Sequence, residues 1–137
     1  ELPLFPVSDL PAQAQITNIS ALGPRAAIDQ VTASVAQEEH LVAYRGAGMP
    51  NTDIQWLDIH HSEGSKGAAV GQLKQRLGVS RVICFGDSDN DLSMFACADE
   101  AYAPENSLAE VKDAATAVIG HHDQDGIARF LRERFSL

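Results

Sequence analysis

The chain has 137 residues, 45% of them apolar and 21% charged, the size and balance of one ordinary globular domain with its own core. That composition excludes disorder along most of the chain, and 10 Gly and 6 Pro without a fixed period exclude a collagen-like repeat. Ten Lys plus Arg against 19 Asp plus Glu give a net charge of −9 with no basic cluster, which argues against a nucleic-acid partner.

Residues 1–13, punctuated by Pro3, Pro6 and Pro11, read as an irregular lead-in. Residues 15–20 form a strand candidate, broken by Gly23-Pro24, and Pro suits the helix start that follows. The spacing of Ile28, Val31 and Val35 predicts a helix over 25–37. A strand over 41–44 leads into a turn at 46–51. A new rhythm starts at Ile54, with a strand over 54–59 holding Trp56 in the core. Ser65 caps a helix to Leu77, with Ala69, Val70, Leu73 and Leu77 on one face and Gly78 ending it. Residues 81–85 form an apolar strand of the kind buried on both faces of a parallel sheet.

A helix over 89–98 follows, then a strand over 101–103 and a helix over 108–114 capped by Ser107. A strand over 116–119 precedes a helix over 125–135 with Ile127, Phe130, Leu131 and Phe135 inward. Strand alternating with helix points to an α/β fold: a parallel sheet with flanking helices. A boundary near 49–52 divides a strand–helix–strand unit, 1–50, from a larger unit, 51–137. Cys84 and Cys97 read as reduced core residues of a cytoplasmic protein. No run approaches the ~20 apolar residues of a membrane span, so no membrane partner is expected.

The sharpest chemical signal is Gly86-Asp87-Ser88-Asp89-Asn90-Asp91, directly after the apolar strand and opening a helix. In open α/β sheets ligands bind at the carboxyl ends of the strands. Three crowded carboxylates repel one another unless a hard cation joins them. Mg²⁺ suits such a loop, since it takes one or two carboxylates and keeps waters and phosphate oxygens as its other ligands. Helix capping accounts for one Asp, not for three plus an Asn. An EF-hand fails because Leu92 stands at its sixth position and Ala98 at its twelfth. Lys66, at the amino end of a helix, is electrostatically misplaced unless an anion docks there. His60-His61 and His121-His122 are poor chelates, because adjacent side chains on an extended segment point to opposite faces and no Cys or third ligand stands at zinc spacing. The first pair reads as strand-end or loop residues, and the second as surface residues near the end of a strand, beside the pocket rim at most. Cys84, inside an apolar strand, lacks the exposure of a nucleophile.

Trp56-Leu57-Asp58-Ile59, Ser65-Lys66-Gly67 and then residues 85–94, with their Gly-Asp-Ser-Asp-Asn-Asp, together resemble the haloacid dehalogenase (HAD) superfamily of phosphatases. Within it the chain is most similar to the Cof-type sugar-phosphatase branch, with its SKG and GDxxND. Glu105-Asn106-Ser107 and Asp125-Gly126-Ile127-Ala128 resemble later motifs of that branch. The resemblance is good from Trp56 to Leu131, and residues 14–45 resemble more loosely the last part of the family's α/β cap.

It implies a partial HAD core, Rossmann-like, plus a remnant of the cap. It also implies Mg²⁺-dependent hydrolysis of small phosphate monoesters, sugar phosphates among them, through an aspartyl phosphate. Carried onto this sequence, Asp87 is a Mg²⁺ ligand, and Asn90 binds phosphate or orients the lysine. Lys66 contacts phosphate and the nucleophile, and Asp91 supports the catalytic site. Asp89 receives no carried-over role and reads as a surface or cap residue.

The family's nucleophile motif, DxDG followed by Thr or Asn, is absent from the 137 residues; at the front of the chain, where the motif belongs, the nearest segment, Ser8-Asp9-Leu10-Pro11, lacks the second Asp and the Gly. The expectation is therefore the carboxy-terminal part of a phosphatase, inactive alone. The missing amino-terminal fragment, or a homo-oligomer, would be its partner, and an open sheet edge would favour association. The alternative is a non-catalytic module that binds metal or phosphate.

Overall fold

A computed structural model of the chain describes residues 13–137; the expected lead-in up to residue 12 and Asp9 lie outside the described residues. The first unit comprises β1 (Asn18–Pro24), α1 (Arg25–Val35), β2 (Leu41–Ala47) and β3 (Ile54–His61). Its sheet runs β1-β3-β2, with both pairings antiparallel. Along β3, Leu57 and Ile59 are buried and meet Ile28 and Val35 of α1, with Ala43 packed against them. One face of the sheet is thus closed by a helix, as the alternation of an antiparallel strand requires. Val31, expected inward, is exposed.

This pairing corrects the expected start of a new unit at Ile54. β3 lies between β1 and β2, with Trp56 opposite both Leu22 and Gly46, so the strand belongs to the first sheet. Trp56 sits on that sheet's open face, half-buried, not in a two-sided core. Its indole lies across Gly46, where a Cβ would come within 2.6 Å of Nε1.

The second unit comprises α2 (Lys66–Leu77), β4 (Ile83–Phe85), α3 (Leu92–Phe95), β5 (Glu100–Pro104), α4 (Ala109–Ala114), β6 (Ala117–Ile119) and α5 (Gly126–Phe135). Its strands are parallel in the order β4-β5-β6, so the α/β fold class read from the sequence holds. On one face Cys84, Phe95, Ala101, Ala103 and Val111 form the core, joined by Val70, Val82, Leu92 and Met94. On the other, Phe130 of α5 lies 4.2 Å from Tyr102 and 5.8 Å from Phe85, centroid to centroid. No described helix is long and apolar enough to cross a membrane.

Several placements differ from the sequence reading. Ser65 does cap α2, accepting from the Ala68 amide at 3.2 Å, and Gly78 ends it with φ 63°. Leu73 and Leu77, however, are exposed. They flank an apolar groove along β4, which is an edge strand among the described residues. Ser107 does not cap α4; it is buried, and its hydroxyl reaches the Gly86 carbonyl at 3.5 Å. Cys97 is exposed because its helix stops at Phe95, whereas Cys84 is buried and burial pushes its thiol pKa up. Ile127 and Phe135 are exposed at the two ends of α5.

The approach of α2 to α3 depends on Gly67. A Cβ there would lie 2.2 Å from the Ser93 carbonyl oxygen, and the Gly67 amide donates to the Ser93 hydroxyl at 3.1 Å. Gly71, one turn on, has open space at the same point. Gly67→Ala is therefore expected to destabilise by about 1–3 kcal/mol through overpacking. Gly71→Ala is expected to stabilise by about 0.5–1 kcal/mol through helix propensity. Urea unfolding of the two variants measures both signs.

Candidate active site

The parallel strands deliver their carboxyl ends to one cleft of about 400 Å³. β4 leads into Gly86 and Asp87, β5 into Pro104 and Asn106, and the segment after β6 brings His122. Lys66, from the first turn of α2, closes the cleft with Asp91. The loops are laced together: the Leu108 amide donates to the Asp87 carbonyl at 3.1 Å, and the His122 amide to Asn106 Oδ1 at 3.2 Å.

Asp91 is the buried hub of this arrangement. Its Oδ1 accepts from Lys66 Nζ at 2.5 Å, and its Oδ2 accepts from the amides of Asp87 at 2.9 Å and Ser88 at 3.2 Å. Burial alone pushes the carboxyl pKa up. The Lys66 ammonium and the two amides outweigh it, so the group stays ionised below the usual carboxylate range. Gly86 makes room for the hub, since a Cβ there would lie 2.5 Å from Asp91 Cβ. Lys66 is fixed a second time, donating to Asn90 Oδ1 at 3.2 Å, yet its side chain stays half exposed. Its ammonium is thus held at the helix start with donor capacity left for an anion.

The four residues singled out from the sequence occupy distinct positions. Lys66, Asp87 and Asp91 line the cleft, and Asn90 holds the lysine. Both Asp91 oxygens are engaged by the protein, which leaves Asp87 as the cleft carboxylate without a hydrogen-bond or ion-pair partner among the described residues. Its donor set fits Mg²⁺: one free carboxylate, with open positions for water and phosphate oxygens. Asp89 accepts from the Asn90 amide at 2.8 Å, a local cap. Sequence reasoning assigned no role to Asn106 and read His122 as a surface residue that could lie beside the pocket rim; it is largely exposed and lines that rim. Their positions just beyond β5 and β6 were the available signal, since each parallel strand points its carboxyl end at the same crevice.

Comparison with known proteins places the chain in a family. A family model described as haloacid dehalogenase-like hydrolase matches residues 6–131. A 5-amino-6-(5-phospho-D-ribitylamino)uracil phosphatase of Bacillus subtilis, YitU, is 37% identical over 83 residues, 59% of this chain and 31% of its own length. The solved structure of a haloacid dehalogenase-like hydrolase from B. subtilis superposes with TM-score 0.74 at 22% identity, covering 88% of this chain and 43% of that one. A HAD subclass IIB sugar phosphatase gives TM-score 0.70 at 20% identity, covering 90% of this chain and 45% of that one. The chain spans about 30% of the length of the curated relatives it matches.

Removing the hub strips the Lys66 ammonium and two amides of their acceptor. Asp91→Ala is expected to cost about 1–3 kcal/mol, the penalty of donors left unsatisfied. Asp89→Ala, which loses one local cap bond, is expected to cost under about 1 kcal/mol. Urea midpoints of the two variants, compared with the parent, test the ranking.

Proposed function

The chain belongs to the haloacid dehalogenase-like hydrolase family, and on that premise we propose that it forms the cation- and phosphate-holding part of a phosphatase. Its substrates in this reading are small phosphate monoesters, sugar phosphates among them. The observation that carries the reading is Lys66, fixed by Asp91 and Asn90, in the same cleft as the unpartnered carboxylate of Asp87.

In this mechanism the phosphate enters at the carboxyl ends of the parallel strands. The Lys66 ammonium binds its oxygens and neutralises charge as the P–O bond breaks. Asp87 would hold the divalent cation, and Mg²⁺ bound there would supply further positive charge to the phosphoryl group. Asp91 acts as a positioning residue, because its two oxygens are spent on Lys66 and the loop amides. Asn90 keeps the lysine directed at the cleft, and Asn106, one strand over, faces the substrate side.

The attacking carboxylate is proposed to come from polypeptide outside this sequence, since the 137 residues contain no Asp-x-Asp-Gly followed by Thr or Asn. Asp123-Gln124-Asp125-Gly126 is followed by Ile127 and lies between β6 and α5, not at the end of a first strand. In the same proposal the antiparallel unit is part of a cap, and the parallel unit is the carboxy-terminal portion of the catalytic core.

Phosphate release from a panel of small monoesters with Mg²⁺ tests the reading. The chain alone is expected to show no turnover above background. Together with the polypeptide that carries the nucleophile, it is expected to hydrolyse monoesters, and Lys66→Ala is expected to lower kcat/KM by roughly 100-fold or more. Asp87→Asn is expected to do the same and to raise the Mg²⁺ requirement. Turnover by the chain alone that is abolished by Asp9→Asn contradicts the assignment of the nucleophile, and activity indifferent to Lys66→Ala contradicts the site.

A further inference from the structure

The segment after β6 holds a group of donors that the phosphatase reading does not use. Adjacent histidines on an extended chain diverge, but here the backbone turns. His121 stands at the start of a 3-10 turn, His122–Gln124, and the two imidazoles stack with centroids 4.5 Å apart. The Asp123 carboxylate faces both rings: Oδ1 is 2.7 Å from His122 Nε2, and Oδ2 is 3.7 Å from His121 Nδ1. One donor atom from each of the three residues falls within 4.8 Å of the others.

We propose that His121, His122 and Asp123 bind a divalent transition metal of the zinc-to-copper class at the rim of the cleft, separately from the Asp87 position. Tetrahedral zinc with bonds of 2.0–2.1 Å places its ligand atoms about 3.3 Å apart. The two carboxylate–imidazole separations, 2.7 and 3.7 Å, straddle that value. The two contacts use different carboxylate oxygens, so binding requires the side chains, which are partly or largely exposed, to rotate until all three donors face one point.

The backbone beneath is already fixed. The His121 carbonyl accepts from the Gln124 amide at 3.0 Å and the Gly126 amide at 3.1 Å, and the His122 amide is tied to Asn106. His121 Nδ1 accepts from the Asp123 amide at 3.2 Å, so its lone pair already points into the turn. A metal at that nitrogen replaces one weak hydrogen bond. His122 ligates through Nε2 in the neutral tautomer that carries the ring proton on Nδ1, so the metal takes the place of the contact to Asp123.

Donor type sorts the two cation positions. Two imidazoles and a carboxylate favour Zn²⁺, Ni²⁺ or Cu²⁺, whereas the lone carboxylate of Asp87 with open oxygen positions favours Mg²⁺. Three protein donors leave coordination positions for water or for a ligand in the cleft that His122 lines. A second histidine pair serves as an internal comparison. His40 and His61 stack at 5.6 Å, with Glu63 4.0 Å from His61 Nδ1, a looser set. The proposal stands on the local geometry and does not rest on the phosphatase reading.

The test is calorimetric titration of the untagged chain with ZnCl₂ in excess MgCl₂, with the visible spectrum of added CoCl₂ reporting low-symmetry coordination. One Zn²⁺ per chain is expected. His121→Ala, His122→Ala and the milder His122→Gln are each expected to weaken binding roughly tenfold or more, with circular dichroism confirming their folding. Asp87→Asn and His61→Ala are expected to leave the affinity unchanged. Failure of the parent chain to bind Zn²⁺, equal affinity in the His121 and His122 variants, or a loss as large in Asp87→Asn or His61→Ala overturns the proposal.

Discussion

The site depends on one buried carboxylate whose two oxygens are both engaged by the protein. Asp91 accepts a lysine ammonium from one element and two amides from its own loop, so it fixes α2 relative to the turn after β4. A buried charge of this kind is tolerated only when it is paired and hydrogen-bonded. The same bonds keep it ionised and so keep Lys66 in place. Two glycines follow as steric consequences: Gly86 admits the Asp91 side chain, and Gly67 lets α2 come close enough for Lys66 to reach it. The spacing of Lys66-Gly67 and Gly86 to Asp91 along the chain thus records one piece of packing.

That packing also divides labour among acidic residues that look alike in the sequence. Asp91 is spent internally, Asp89 caps the turn, and Asp87 remains with its charge in the cleft. Neighbouring carboxylates on one loop therefore have different electrostatic duties, set by which amides they meet. The parallel sheet completes the arrangement by aiming β5 and β6 at the same place, which brings Asn106 and His122 beside a lysine and an aspartate from earlier in the chain.

Much of this was legible in the sequence. Helix α2 carries its own start and stop signals in Ser65 and Gly78, and both act as the local chemistry demands. The acidic loop after an apolar strand located the cleft. Other features depend on pairing between distant segments, which periodicity does not encode. β3 has the same alternation whichever sheet it joins, and only its partners β1 and β2 assign it. Leu73 and Leu77 have helical core spacing, yet they face the groove at the edge strand β4. His60 and His61 do diverge along β3, whereas His121 and His122 stack for a local reason, since their 3-10 turn is set by hydrogen bonds to Asn106 and Gly126.

Chemical-shift mapping in solution tests the central claim most directly, with inorganic phosphate and MgCl₂ titrated into the isotopically labelled chain. The account predicts that the shifts concentrate at the Lys66 ammonium, the amides of Gly86 and Asp87, and the Asn106 side chain, and that they are lost in Asp91→Asn. Shifts concentrated elsewhere, or the same pattern persisting in Asp91→Asn, would contradict the view that this carboxylate builds the site.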